Sequence, residues 1–195
     1  MKKVGIIIVA AGESKRMGKP KQLLLVAGKS LIKHTAEIAL ATDCYPVVLV
    51  IGAHKAAIAP EIVHLPLTVI DNPAWQSGMA SSIKIGLAGI YMTYKEIDAV
   101  LLMVVDQPFV TVKLIEEIIA LYDKQNAPLV ASKYGNEIGV PALFDRKYFD
   151  ALLDLKGDKG AKSILMNNLA DVALVGFERG DIDLDTPNDY DLFNQ

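Results

Sequence analysis

The chain has a single cysteine, Cys44, among its 195 residues. No internal disulfide can form, and the composition suits a reducing compartment. Cys44 lies just before an apolar run and reads as a structural thiol. There is one tryptophan, Trp75, and no apolar stretch approaches the length of a membrane span. Met1-Lys2-Lys3 followed by apolar residues has the outline of a secretory leader. Charges follow directly after the run that ends at Ala11, however, with no spacer, so a buried first strand is the better reading. We therefore expect a soluble, cytoplasmic protein with no membrane partner. Excess positive charge is also missing: 20 Lys and Arg stand against 23 Asp and Glu, for a net −3, which argues against nucleic acid as a partner. His34, His54 and His64 show no metal-ligand spacing and are assigned no chemistry. There is no internal repeat, linker or low-complexity segment. At 52% apolar the chain is long enough for a core of its own, and residues 1–195 are read as one domain.

What is present is an alternation of short apolar runs and amphipathic stretches. The runs are Val4–Val9, Val47–Ile51, Leu67–Ile70, Val100–Val105, Leu129–Ala131 and Val172–Val175. Between them, Leu31–Ala41, Met79–Tyr91 and Val112–Tyr122 carry apolar residues at helical spacing. Continuous apolar strands imply a sheet covered on both faces, and the alternation implies parallel strands with helical crossovers. The expected fold is a three-layer α/β/α sandwich with a mostly parallel, Rossmann-like sheet. Ser30 and Thr111 are expected to cap the helices that follow them, and Pro187 suits the first turn of a last short helix. Tyr134 to Ala161 breaks the alternation and reads as a β-ribbon and small helix over the mouth of the site.

The first apolar run opens onto Ala10-Ala11-Gly12-Glu13-Ser14-Lys15-Arg16-Met17-Gly18-Lys19-Pro20-Lys21. A strand emptying into a loop with two glycines and four cations is suited to an anion. Arg16 can grip phosphate oxygens with its planar fork, and Lys21 supplies a point charge. The Walker loop is excluded, because five residues separate Gly12 from Gly18 and Pro20 follows Gly18-Lys19. The dinucleotide fingerprint is excluded, because residue 10 is alanine.

Val100–Val105 leads into Asp106-Gln107-Pro108. A carboxylate just past the end of a central strand lies where ligands bind in such sheets, and Mg²⁺ takes one or two carboxylates plus phosphate oxygens. Near the end, Asp181, Asp183 and Asp185 alternate along an extended segment and would share a face. Asp183 and Asp185 are alternative partners for Asp106 around a metal, and the spacing does not choose between them. Asn72, Gly78 and Ser82 fall between a strand and a helix start, where glycine and hydroxyls can contact a nucleotide. Trp75 reads as packing or a pocket wall, and Lys159 as an exposed turn.

Val9 to Leu24 resembles the signature loop of nucleotidyltransferases related to the molybdenum cofactor guanylyl- and cytidylyltransferases, the MobA-like NTP transferase family. Their pattern is Leu-Ala-Ala/Gly-Gly-x-Ser-x-Arg-Met-Gly-x-x-Lys. Ala10, Ala11, Gly12, Ser14, Arg16, Met17, Gly18 and Lys21 match it, and Val9 replaces the leucine. The resemblance continues through Asn72-Pro73-Ala74-Trp75, Gly78-Met79, Ser82, Asp106-Gln107-Pro108, Gly139-Val140-Pro141-Ala142-Leu143-Phe144, Gly157-Asp158-Lys159-Gly160-Ala161 and Asp185-Thr186-Pro187. Relatives often carry a polar residue where this chain has Val140.

The resemblance implies a GT-A-like nucleotidyltransferase sheet. Ala11, a second glycine in the guanylyl branch, implies CTP as donor and a molybdopterin-type cofactor as acceptor, with Mg²⁺ or Mn²⁺ and a molybdenum enzyme as recipient of the product. Lys21, Arg16 and Asp106 would be catalytic. Ala10, Ala11, Gly12, Ser14, Gly18, Asn72, Gly78 and Ser82 would line the nucleotide site. The rivals are nucleotidyl transfer to a sugar or polyol phosphate, a glycosyltransferase using Asp183-Leu184-Asp185, and a non-catalytic cofactor carrier.

Overall fold

The computed structural model describes residues 2–194. Its main sheet contains β1 (Val4–Val9), β4 (Val47–Ile51), β5 (Thr68–Asp71), β6 (Ala99–Val104), β7 (Leu129–Tyr134), β8 (Glu137–Asp145) and β9 (Val172–Gly176). The strand order is β5-β4-β1-β6-β8-β7-β9, and β2 (Leu25–Val26) pairs with β3 (Lys29–Ser30) in a separate hairpin. Every strand of the large sheet is parallel except β8, which is antiparallel to both β6 and β7.

Period-two alternation within continuous apolar strands covers both faces. Ile6, Ile8, Leu49, Leu101 and Met103 point to one side, where α1 (Leu31–Leu40), α2 (Lys55–Ile62) and α4 (Val112–Gln125) pack. Ile7, Val48, Val50, Val100 and Leu102 point to the other, under α3 (Met79–Thr93), α5 (Phe149–Leu153) and α6 (Lys162–Asn167). Each fully buried Ile or Leu contributes about 2 kcal/mol of transfer free energy, so both layers matter to stability. Helix α3 lies very close to the sheet: a Cβ on Gly86 would fall 2.4 Å from Ile7 Cγ2, and one on Gly89 would fall 2.2 Å from Ile70 Cδ1. That approach brings the start of α3 to the strand ends.

The expected sandwich is therefore present, and the six expected strands lie within one to three residues of their observed ends. The segment from Tyr134 to Ala161 differs from expectation. Glu137–Asp145 is a full strand of the main sheet rather than only a ribbon. Its inner half pairs with β6 through residues 142–145. Its outer half pairs with β7 alone and projects past β6 as the anticipated flap. A register shift at Ala131/Ser132 accommodates Pro141, as a bulge must where proline cannot donate. Ser132 Oγ donates to the Pro141 carbonyl at 2.7 Å. The expected small helix of this segment is α5, and α6 begins just beyond it, at Lys162.

Capping is also mixed. Thr111 caps α4 by accepting from the Leu114 N–H at 3.2 Å. Ser30 precedes α1 but makes no side-chain cap; its hydroxyl instead donates to Glu61 Oε2 at 2.7 Å, tying the start of α1 to α2. The last helix, α7 (Pro187–Phe193), opens with proline inside a capping box of Thr186 and Asp189.

Candidate active site

β1 and β6 are neighbours, with Val9 opposite Val104. The loops leaving their carboxyl ends therefore emerge side by side, which brings Lys21 to Asp106. Two short 3-10 turns shape the first loop, Lys15–Met17 and Lys21–Leu23. Between them Gly18 adopts φ 71° and closes the first turn by donating to Ser14 O and Lys15 O. Lys21 Nζ lies 2.5 Å from Asp106 Oδ2 and 2.7 Å from Asp185 Oδ1. Arg16 Nη2 lies 2.7 Å from Asp185 Oδ2. Arg16, Lys21, Asp106 and Asp185 thus form one continuous chain of ion pairs.

The acidic tail is fastened where it meets this chain. The Leu184 N–H donates to the Asp106 carbonyl at 2.9 Å, and the Leu184 side chain is fully buried. Asp183 and Asp185 flank that anchor. The capping box of α7 also holds the Asp185 N–H, through Asp189 Oδ2 at 3.2 Å. Asp181 does not join them; it lines a separate hollow with Arg179 and Phe193. The expected three-acid face is therefore a two-acid face.

Desolvation lowers the Lys21 ammonium, but Asp106 and then Asp185 outweigh it and raise its pKa above the ordinary 10.5. Loss of hydration, followed by repulsion from Asp106 and Asp185, pushes Asp183 from 3.8 up to about 6. A carboxyl raised in this way holds its proton more tightly in the folded state. Its contribution to stability is present below about pH 3.8 and is lost as pH rises through about 6. Asp183→Asn is accordingly expected to gain in melting temperature over the unaltered protein between pH 4 and pH 7 and to hold that gain above it. Thermal unfolding across that range, without metal or nucleotide, checks it; a flat difference would contradict the assignment.

Two adjoining hollows flank the ion-pair chain. The larger, 650 Å³, is lined by Ala11, Gly12, Ser14, Arg16, Gly78 and Ser82, together with Trp75 and Asp158. The smaller, 200 Å³, lies beside Asp106 and Asp183 and is walled by Val9, Met79, Ile83, Tyr134 and Val140, with Lys162 as its one lining cation. Val9 and Met79 line both.

Most of the residues singled out in the sequence thus converge. Five do not line either hollow. Lys21 and Asp185 line a third, smaller one with Gly12, Ser14 and Arg16. Ala10 is buried behind the loop. Gly18 shapes its turn. Asn72 is 1% exposed; its Nδ2 donates to Ser81 Oγ at 2.8 Å and Ser82 Oγ at 3.0 Å, so it holds the wall from behind. Lys159 faces a different hollow on the outer side of α5 and α6.

Several residues escaped the sequence reading. Asp158 reaches the larger hollow because the turn at Gly157 packs on Gly78, where φ is 99° and a Cβ would lie 2.4 Å from the Gly157 carbonyl oxygen. The Ala80 N–H donates to that carbonyl at 3.0 Å. Tyr134 reaches the smaller hollow over Gly139, whose Cβ would fall 2.2 Å from the tyrosine hydroxyl. His54 Nε2 lies 2.8 Å from the Glu13 carbonyl and braces the loop. Gly139 and the glycines around Asp158 were the visible signals. Nothing in the sequence marked His54.

A divalent cation fits here in a limited way. Among the described residues no group of three His, Cys, Asp or Glu side chains is placed to hold a metal. Asp106 and Asp185, however, already share a cation, the Lys21 ammonium, and Asp106 Oδ1 is buried with no hydrogen-bond partner. Two carboxylates completed by phosphate oxygens and water are a normal Mg²⁺ set.

The family model for the MobA-like NTP transferase domain matches residues 6–172. Nicotine blue oxidoreductase of Paenarthrobacter nicotinovorans is 30% identical over 171 residues, 82% of this chain and 79% of that one. Purine catabolism protein PucB of Bacillus subtilis is 26% identical over 200 residues, 95% of this chain and 93% of that one. Among solved structures, the manganese complex of Rv0371C from Mycobacterium tuberculosis H37Rv superposes with a TM-score of 0.82 at 23% identity, covering 98% of this chain and 97% of that one.

Proposed function

The chain belongs to the MobA-like NTP transferase family, and from that membership we propose that it moves CMP from CTP to a phosphate-bearing acceptor, most naturally a molybdopterin-type cofactor. The observation that carries this reading is the Lys21 ammonium set between Asp106 and Asp185, in an ion-pair chain whose Asp106 lines the smaller hollow and whose Arg16 lines the larger. One hollow suits the nucleotide and the other the acceptor.

An acceptor phosphate oxygen attacks the α-phosphorus of CTP, the new O–P bond forms, and the α–β bridging bond breaks to release pyrophosphate. The attacking oxygen is already anionic, so no general base is required. Catalysis then comes from positioning and charge. Arg16 and Lys21 leave their carboxylates for phosphate oxygens, with Lys21 on the α-phosphate and Arg16 on the departing pair. Mg²⁺ or Mn²⁺ would be held by Asp106 with Asp185 or Asp183, and when bound it supplies positive charge to the phosphates. Gly12, Ser14, Gly78 and Ser82 wall the nucleotide hollow. The Ala11 methyl narrows it against a purine, and Asn72 fixes Ser82.

The smaller hollow is below the usual 300 Å³ or more of a whole-ligand pocket. It takes one apolar end of the acceptor, with Val140 against its face. Lys162 now pairs with Glu137 at 2.5 Å, and both side chains are at least half exposed. Such a pair costs little to open, leaving Lys162 for an anionic group of the acceptor. Lys162→Ala is expected to raise the acceptor KM about tenfold with the CTP KM unchanged, as steady-state kinetics would show.

The direct test is pyrophosphate release, with CTP, GTP, ATP and UTP each offered against molybdopterin and a panel of sugar and polyol phosphates. No release with any pair would reduce the protein to a cofactor carrier. A second reading follows the Paenarthrobacter relative, an oxidoreductase by name. In it the two hollows would hold a redox dinucleotide and a flat oxidised compound. Arg16 and Lys21 would hold the dinucleotide's phosphates, but the loop after β1 lacks the dinucleotide fingerprint and Asp106 has no task in hydride transfer, which favours nucleotidyl transfer. Oxidation of NADH or NADPH without pyrophosphate release would reverse that preference.

A further inference from the structure

Gln22 follows Lys21 on the same 3-10 turn, and the turn sends the two side chains in opposite directions. Lys21 reaches the carboxylates. Gln22 is 1% exposed and lies beneath the loop that leaves β1. Its Nε2 donates to the Ala10 carbonyl at 2.9 Å and to the Gly12 carbonyl at 3.0 Å. Its Oε1 accepts from Ser14 Oγ at 3.3 Å, and Ser14 Oγ in turn accepts from the Lys21 N–H at 3.2 Å. The polarity of that relay leaves the amide one orientation, because the flipped amide would set Oε1 against two carbonyl oxygens. The remaining carbonyl, that of Ala11, accepts from the Ala53 N–H at 3.1 Å.

Every carbonyl from residue 10 to residue 12 is therefore occupied. The N–H groups of Ala11 and Gly12 have no protein acceptor among the described residues. Ala11 and Gly12 both line the larger hollow, and with their carbonyls engaged their N–H groups are the backbone groups left there for a ligand.

We propose that Gln22 is a positioning residue that sets this polarity, so that the loop recognises a nucleobase through the base's hydrogen-bond acceptors. The inference rests on the reading of the larger hollow as the nucleotide site. It adds a rule of selection that the Ala11 methyl does not supply. The methyl discriminates by size, whereas the donor-only loop discriminates between pyrimidines. Cytosine offers O2 and N3 as acceptors. Uracil carries a hydrogen on N3, and that edge would face donor with donor, leaving both groups unpaired.

The test measures dissociation constants by calorimetry, with Mg²⁺ present, for CTP, UTP, the triphosphate of 2-pyrimidinone riboside, and inorganic tripolyphosphate. The 2-pyrimidinone compound keeps O2 and N3 and lacks the 4-amino group. On the unaltered protein it is expected to bind within about threefold of CTP, and UTP about tenfold more weakly or worse. Gln22→Met keeps the length of the side chain and removes its donors. It is expected to weaken CTP about tenfold, to narrow the gap between CTP and UTP, and to leave tripolyphosphate unchanged. Equal weakening of tripolyphosphate, or an unchanged ratio of CTP to UTP, would overturn the proposal. If Gln22→Met fails to fold, the unaltered protein still decides: a 2-pyrimidinone compound binding as poorly as UTP, or CTP and UTP binding alike, overturns it. Those results leave the nucleotide reading standing. Failure of every nucleoside triphosphate to bind removes both.

Discussion

Lys21→Ala is expected to lower kcat for pyrophosphate release by about three orders of magnitude, with the far-UV circular dichroism of the unaltered protein retained. The argument starts from local geometry. Lys21 is held on a short turn whose backbone is tied to Ser14, and only 14% of its side chain is exposed. Its ammonium faces two carboxylates that raise its pKa, so it is charged throughout the physiological range. Among the described residues no other cation pairs with Asp106: Arg16 contacts only Asp185 in this cluster, and Lys162 is paired with Glu137. Charge that accumulates on the α-phosphate during in-line displacement then loses its nearest fixed partner. The loss falls on the transition state more than on the ground state, so kcat drops further than CTP affinity. The fold itself rests on the two apolar layers and does not depend on this side chain. Lys21→Arg should recover little, because the guanidinium is broader and cannot occupy the narrow space between Asp106 and Asp185. A Lys21→Ala protein turning over at more than a tenth of the normal rate would remove Lys21 from the chemistry.

The parts of this site that were legible in the sequence share a cause. Val4–Val9 and Val100–Val105 are continuous apolar runs, and parallel strands of one sheet release their loops on the same edge. Lys21 and Asp106 therefore had to approach each other once both runs were read as neighbouring central strands. The α7 cap was equally readable, because Thr186-Pro187-Asn188-Asp189 carries its own local hydrogen-bonding logic. The elements that escaped depend on partners distant in sequence. Gly139 and Pro141 are marks of a loop, yet a bulge opposite Ser132 lets β8 enter the sheet. The Ser30 hydroxyl had a local use as a cap, but Glu61, thirty-one residues away, offered a charged acceptor instead. Alternation placed Asp181, Asp183 and Asp185 on one face. The burial of Leu184 and its bond to the Asp106 carbonyl hold only the last two at the cleft. Gln22 carried no signal, because its role depends on carbonyls that only the folded loop turns toward it.

Asp106→Asn is expected to lower kcat by two to three orders of magnitude, about 3–4 kcal/mol of transition-state stabilisation, and to raise the concentration of Mg²⁺ needed for half-maximal rate. The amide keeps the shape of the carboxyl and the backbone bond from Leu184, so the variant separates charge from structure. Asp106 has two tasks that the neutral side chain cannot perform. It holds the Lys21 ammonium at 2.5 Å, and under the proposed mechanism its carboxylate, whose Oδ1 is buried without a hydrogen-bond partner, would take the metal. Asp185 does not make up the loss, because it contacts the opposite side of the cluster, between Lys21 and Arg16, and is itself a candidate for the second ligand. The same substitution at Asp183 and at Asp185 then resolves which is the partner. The true second ligand should show the same displaced Mg²⁺ dependence as Asp106→Asn, and the other should lose rate without moving it. Mn²⁺, which binds nitrogen and oxygen donors more tightly than Mg²⁺ does, should restore part of the activity of Asp106→Asn. An Asp106→Asn protein whose Mg²⁺ dependence matches that of the unaltered chain would place the metal elsewhere.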